Sequence, residues 1–216
     1  IVWQCRRTKD YCERVEKEYG KEIAQKTGLK VDAYFSASKM RWLLDNVAEV
    51  KSAAERGDLC FGTIETFLIF KLTEGKSFVT DYTNASRTML FNVKTLEWDG
   101  DLLNYFGIKR EFLAEVISPD QIAGTFSFGG KDIPIAGLAG DQQAAAVGQG
   151  CFDFGSLKIT YGTGLVLLKN AGEKFVLAQN GLLTTLGYGG KKPVYLIEGS
   201  VFNAGSAVQW LRDGLE

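Results

Sequence analysis

Near Gly150 the chain changes its pattern, and that change restricts the fold more than any other feature of the sequence. Before it, apolar residues recur mostly at helical spacing. After it, short β-rich runs are separated by glycine. Two parts are therefore expected, residues 1–150 and 151–216, and a length of 216 lies between one domain and two at about 150 residues each. In the first part the spacing predicts a helix over 9–26, stopped at Thr27-Gly28. Ser36 or Ser38 can cap a second helix with the stripe Met40, Leu43, Leu44 and Val47, which 49–56 extends as far as Gly57. Residues 59–62 read as a strand, and Thr63 opens an apolar helix carrying Phe67, Leu68, Phe70 and Leu72 that Gly75 closes. Residues 77–100 read as polar and irregular, apart from an alternating run over 88–93. Helical pieces follow over 101–106 and 109–116. Residues 133–140 read as a buried strand feeding a glycine-rich turn, and 141–147 as the start of a helix. In the second part, strands over 156–161 and 165–169 flank Gly162-Thr163-Gly164. A further strand is expected over 194–197 and a helix over 203–211.

Charge and residue counts exclude several kinds of chemistry. Lys and Arg total 25 against 26 Asp and Glu, a balance that argues against nucleic acid as a partner. Histidine is absent, which removes the Ser-His-Asp triad, the Cys-His dyad and His-ligated zinc or haem. A proton acceptor must then be a carboxylate, Lys, Tyr or Cys. Cys5, Cys12, Cys60 and Cys151 are widely spaced and form no Cys-x-x-Cys pair, so they read as reduced thiols of a cytoplasmic protein. No apolar run is long enough to cross a membrane, and 1–7 does not resemble a signal peptide. The start on Ile1-Val2-Trp3, without methionine, is expected to lie inside a longer protein.

Three stretches could carry chemistry. Gly137-Leu138-Ala139-Gly140-Asp141-Gln142-Gln143 places an acid among small residues at a helix start, where it can meet a ligand; the plainer reading is a helix cap. Thr160-Tyr161-Gly162-Thr163-Gly164 offers a hydroxyl and backbone N–H groups to a phosphate, or is an ordinary glycine turn. It is neither a Walker A loop nor Gly-x-Gly-x-x-Gly. The small residues of 198–210 suit either an anionic or flat ligand lying against a helix N-terminus or close packing of that helix on a sheet. Arg6-Arg7 could grip an anion, and Trp3, Tyr34 and Phe35 could wall a pocket, although such residues are more often a solvated turn and core.

Tyr34-Phe35-Ser36-Ala37-Ser38-Lys39-Met40-Arg41-Trp42-Leu43-Leu44-Asp45-Asn46 resembles the first signature of the FGGY family of carbohydrate kinases. Trp3-Gln4-Cys5-Arg6-Arg7-Thr8, Asp81-Tyr82-Thr83-Asn84-Ala85-Ser86-Arg87-Thr88, Gly140-Asp141-Gln142-Gln143-Ala144 and Tyr161-Gly162-Thr163-Gly164 resemble its glycerol-phosphorylating members. Gly181-Leu182-Leu183-Thr184-Thr185 and Gln209-Trp210-Leu211-Arg212-Asp213 continue the likeness.

The resemblance implies an α/β chain of the actin-like, ribonuclease H-like ATPase fold. Residues 1–150 would be the later part of the family's N-terminal domain and 151–216 the start of its C-terminal domain. It further implies ATP, with Mg2+, as phosphoryl donor, glycerol as acceptor, and Asp141 as general base. Trp3, Tyr34, Asp141 and Gln142 match glycerol-binding positions; Gly162 and Thr163 match a phosphate-binding hairpin, and Gly205 and Gln209 match nucleotide contacts. The resemblance names no metal ligand and leaves a dimer or tetramer open. An Asp-Gln-Gly-Thr-Thr-Ser hairpin and an Arg-Glu pair for the glycerol hydroxyls are expected upstream of Ile1, and a second signature downstream of Glu216. The chain alone is then expected to be inactive. Val166 stands where the family often has Phe, and the loop Gly129-Gly130-Lys131-Asp132 lacks the Arg that bacterial members use to bind a sugar-phosphate inhibitor. Rival readings are a pentulose or aldonate kinase of the same family, or an actin-like binding module without transfer chemistry.

Overall fold

A computed structural model describes residues 1–190 and 192–215. The chain forms two compact units, Ile1–Ala139 and Gly140–Glu216. In the first, Cys12, Val15 and Ile23 form the buried stripe of α1 (Lys9–Thr27). Gly28 ends it at φ 74°, a left-handed conformation that a side chain resists, with its N–H on the Ala24 carbonyl at 2.8 Å. α2 (Ser36–Asn46) follows Phe35 with no side-chain cap, so neither serine plays the expected part. Ser38 instead meets the Thr8 hydroxyl at 2.8 Å. Met40 and Leu44 are buried, while Leu43 and Val47 are only half-buried. Nor does this helix continue to residue 56. β-Branched Val47 takes φ −118° and ψ 109°, which separates α2 from α3 (Ala48–Arg56).

Residues 59–62 form no strand; Phe61 makes an isolated parallel bridge to Leu113. α4 (Ile64–Leu72) buries Thr66 and Ile69 but leaves Phe67, Leu68, Phe70 and Leu72 exposed. The stretch 77–100, polar as a sequence, supplies much of the buried interior. It contains β1 (Val79–Asp81), α5 (Tyr82–Ala85), a 3-10 turn, the antiparallel pair β2 (Phe91–Asn92) and β3 (Glu97–Trp98), and the first residue of α6 (Gly100–Phe106). Its polar groups are buried because each finds a partner. Asp81 accepts from the N–H groups of Thr83 at 2.7 Å and Asn84 at 3.1 Å. The Ser86 and Thr88 hydroxyls donate to the carbonyls of Thr83 and Ala85. Met89, Leu90, Phe91 and Val93 are all buried, so 88–93 shows no inside–outside alternation.

The expected helix over 109–116 is a 3-10 turn followed by β4 (Glu115–Ile117), whose backbone is taken up by parallel pairing with β1. β5 (Gly124–Phe128) and β6 (Lys131–Ile135) form a two-stranded hairpin. Residues 133–140 are therefore not a buried strand: Ile133 and Pro134 are exposed, and Ile135 only partly packs against Ile69, Ala123 and Leu138.

The second unit opens with α7 (Asp141–Gly148). β7 (Leu157–Tyr161), β8 (Leu165–Gly172), β9 (Leu183–Gly187) and β10 (Val194–Val201) make an antiparallel sheet in the order β7-β8-β10-β9. α8 (Gly205–Gly214) closes the chain, and none of its described residues is buried. Ala146 of α7 packs with Cys151, Leu168 and Leu196, and the Gln143 amide donates to the Thr185 hydroxyl at 3.3 Å. These contacts place α7 with the sheet that follows it, although the residue pattern changes only near Gly150. All four cysteines are free. Among the described residues no helix is long and apolar enough to cross a membrane.

Candidate active site

The predicted site residues fall into three local groups. In the first unit, Trp3 and Tyr34 meet edge to face with ring centroids 5.7 Å apart, and Tyr34 meets Phe35 at 5.0 Å. A turn fixes Tyr34: its N–H donates to Asp32 Oδ1 at 2.7 Å, and its carbonyl accepts from Lys39 Nζ at 2.9 Å. Asp32 also binds Arg6 at 2.5 Å. Arg7 instead donates to Cys5 Sγ at 2.9 Å and stacks over Trp42 at 4.5 Å, so the two arginines do not act as one grip. Hydrogen bonds from Arg7, its backbone N–H first, pull the Cys5 thiol below its ordinary range. Sequence reasoning gave Arg87 no role. Its guanidinium stands 5.9 Å from the Tyr34 ring centre and 5.2 Å from that of Phe35, a cation–π arrangement that supports the aromatic corner.

The second group surrounds Asp141. Gly140, not Asp141, occupies the capping position, so the carboxylate lies in the first turn of α7, at the positive end of the helix dipole. Asp141 is exposed. One oxygen accepts the Gln142 N–H at 2.8 Å, and the other lies 3.4 Å from Gln142 Nε2. Gln142 Oε1 in turn accepts from Lys158 Nζ at 2.7 Å, and Lys158 also donates to Thr160 Oγ1 at 2.8 Å. Sequence reasoning missed Lys158. A lysine in an alternating strand reads as solvent-facing, yet Lys158 is 2% exposed while Leu157 and Ile159 on the other face of β7 are exposed. The overlooked signal is the pairing of Lys158 with Thr160 on one face, immediately before the glycine turn. Burial holds the Lys158 amine below the usual lysine range, against the pull of the Asp141 and Glu198 carboxylates.

The third group is the hairpin turn between β7 and β8. Gly162 N–H closes it on the Gly164 carbonyl at 2.8 Å, and Thr163 is exposed at its tip. The turn and the start of α8 are bonded together. Ala204 and Ser206 N–H groups donate to the Thr163 carbonyl at 2.9 and 3.2 Å, and Gly205 N–H donates to the Gly162 carbonyl at 3.1 Å. Those N–H groups of the helix start are therefore taken up by carbonyls of the hairpin. Glycine is required at 205, where a Cβ would stand 2.4 Å from the Gly162 oxygen. Gln209 lies exposed on α8. Among the described residues, no group of three or more carboxylate or thiol side chains converges as a metal cage.

The arrangement has clear relatives among solved structures. A glycerol kinase of Plasmodium falciparum with ADP has a TM-score of 0.92 and 42% identity, covering 98% of this chain and 43% of that one. A ligand-bound xylulose kinase of Lactobacillus acidophilus, at 24% identity, shares the fold with a TM-score of 0.85, covering 100% of this chain and 44% of that one. The fold is thus the α/β, actin-like ATPase fold of the sugar kinases, as expected. Residues 1–148 match the N-terminal domain of the FGGY family of carbohydrate kinases, and the chain belongs to that family. A glycerol kinase of Treponema denticola is 55% identical over 221 residues, which take in all of this chain and 45% of the relative. The chain thus spans about half the length of the curated relatives it matches.

Proposed function

We propose that the protein transfers the γ-phosphoryl group of ATP to a terminal hydroxyl of glycerol, yielding ADP and glycerol 3-phosphate. The observation that carries this reading is the Asp141 carboxylate, exposed in the first turn of α7 and oriented by Gln142. Asp141 acts as general base. It takes the hydroxyl proton as the new oxygen–phosphorus bond forms, and the bond from the γ-phosphorus to the bridging oxygen breaks with its electrons leaving on ADP. Such transfer depends chiefly on positioning and charge stabilisation, so one placed carboxylate suffices without histidine. Tyr34 and Gln142 bind the glycerol hydroxyls, and Trp3 covers its carbon chain. Gly162 and Thr163 hold phosphate, while Gly205 and Gln209 contact the nucleotide. Mg2+, held on the nucleotide's phosphate oxygens, would supply charge neutralisation there. Residues 1–150 complete the family's N-terminal domain, and 151–216 begin the C-terminal one. Four free thiols support a cytoplasmic setting.

The test is ADP release by the intact protein with glycerol, xylulose and gluconate offered separately. Glycerol is expected to be the preferred acceptor. Asp141→Asn should lower kcat by at least about 100-fold while ATP binding stays within about threefold. Normal turnover by the Asn variant removes Asp141 as the base, and preference for another acceptor overturns the substrate.

A further inference from the structure

Lys158 carries a positive charge into a place that is 2% exposed. An ammonium has three donors and no acceptor. Two of its contacts are acceptors on different elements, Gln142 Oε1 at 2.7 Å and Thr160 Oγ1 at 2.8 Å. A carboxamide can ordinarily turn end for end with almost no change of shape. Beside an ammonium it cannot, because its NH2 group would then face donors. We propose that Lys158 is a positioning residue for substrate recognition, taking the carbonyl end of Gln142 and fixing the carboxamide with its NH2 group beside Asp141. This rests on the reading that Asp141 and Gln142 receive the glycerol hydroxyl.

The consequence is chemical. Gln142 Nε2 stands 3.4 Å from Asp141 Oδ2, so a donor and an acceptor lie side by side. A hydroxyl seated there gives its proton to the carboxylate while its oxygen accepts from the carboxamide. With the carboxamide reversed, two acceptors would face the hydroxyl, and the oxygen lone pairs would lose their donor. Thr160 steadies the ammonium from its own strand, one residue before Tyr161 leads into the glycine turn.

In the intact enzyme, Lys158→Met keeps an unbranched side chain, one atom shorter, and removes the donor. The expected result is a KM for glycerol raised about tenfold, a smaller change in kcat, and a KM for ATP within about threefold. In a Gln142→Leu background the same substitution should add less than about twofold, whereas a purely structural role would add its full cost. Gln142→Glu still offers Lys158 an acceptor but has no donor left; it should fold and bind glycerol about tenfold more weakly. It decides the matter if Lys158→Met does not fold. An unchanged glycerol KM in Lys158→Met, full additivity in the double variant, or ordinary glycerol affinity in Gln142→Glu overturns the proposal. Absence of glycerol-dependent turnover in the unmutated enzyme overturns the reading of the site itself, and this proposal with it, before any variant is compared.

Discussion

Glu65 stands in the first turn of α4, where its Oε2 accepts from the Thr80 hydroxyl at 2.9 Å and the Asp81 N–H at 3.2 Å. Its other oxygen is buried with no hydrogen-bond partner among the described residues. Burial, and then the charge of the fully buried Asp81, push the Glu65 carboxyl up to about 7 from an ordinary 4.5. A carboxyl raised in this way holds its proton in the folded protein at pH values where the unfolded chain has lost it. Its contribution to stability is complete below the unfolded value and disappears as pH rises toward 7. The first unit is expected to lose on the order of 1–2 kcal/mol between about pH 5 and 7.5, read as a falling urea midpoint. Glu65→Gln should flatten that slope and raise the midpoint at the alkaline end, because a carboxamide oxygen keeps both donors without a buried charge. An equal slope in the variant contradicts the assignment. Glu65 and Lys158 share one lesson about legibility: a charged residue in a first helical turn or an alternating strand reads as solvated. Only the tertiary partners, Asp81 for one and Gln142 for the other, reveal that it is not.

Among the elements, the hairpin of β7 and β8 is legible because alternating runs flank two glycines, a local signal that tertiary structure does not override. The stretch 77–100 is not legible. Its threonines, serines and acid are buried through bonds to backbone groups nearby, which polarity alone cannot indicate. α8 lies between these cases: its helical spacing is readable, but the destination of its first N–H groups is not. Their union with the Gly162 and Thr163 carbonyls makes hairpin and helix one piece, and this leads to a contrast between two glycines. A Cβ at Gly205 would meet the backbone oxygen of Gly162 at 2.4 Å, whereas a Cβ at Gly162 has its nearest neighbour, the Gly164 oxygen, at 3.6 Å. Gly205→Ala is therefore expected to destabilise the second unit by about 1–3 kcal/mol and to raise the KM for ATP, with the KM for glycerol nearly unchanged. Gly162→Ala should leave the unfolding free energy within about 0.5 kcal/mol of that of the unmutated protein. Equal midpoints for the two variants would show that the close approach at 205 relaxes freely.

At the scale of the whole molecule, the family is legible because the order of the motifs is specific where each motif is ambiguous. The turn at Gly162-Thr163-Gly164 could be any hairpin, and Asp141 any helix start, but their succession after 34–46 and 81–88 is not generic. The same succession indicates what the 216 residues lack. They contain no Asp-Gln-Gly-Thr-Thr-Ser stretch, so on the proposed reading they supply one phosphate-binding hairpin and the base, but no second such hairpin to oppose the first. Aligning a γ-phosphoryl group with an attacking hydroxyl needs the nucleotide held at both ends, because positioning supplies most of the rate. Large apolar side chains also stand exposed, Phe67 and Leu68 on α4 and Val208, Trp210 and Leu211 on α8. Such surface is costly to leave against water. The chain produced alone is accordingly expected to show no glycerol-dependent ADP release above the blank, even at tens of micromolar protein. The same preparation carrying Asp141→Asn separates its own activity from that of a contaminating kinase. Turnover that needs glycerol and vanishes with Asp141→Asn would show that these 216 residues already hold both substrates, and the requirement for the rest of the protein would fall.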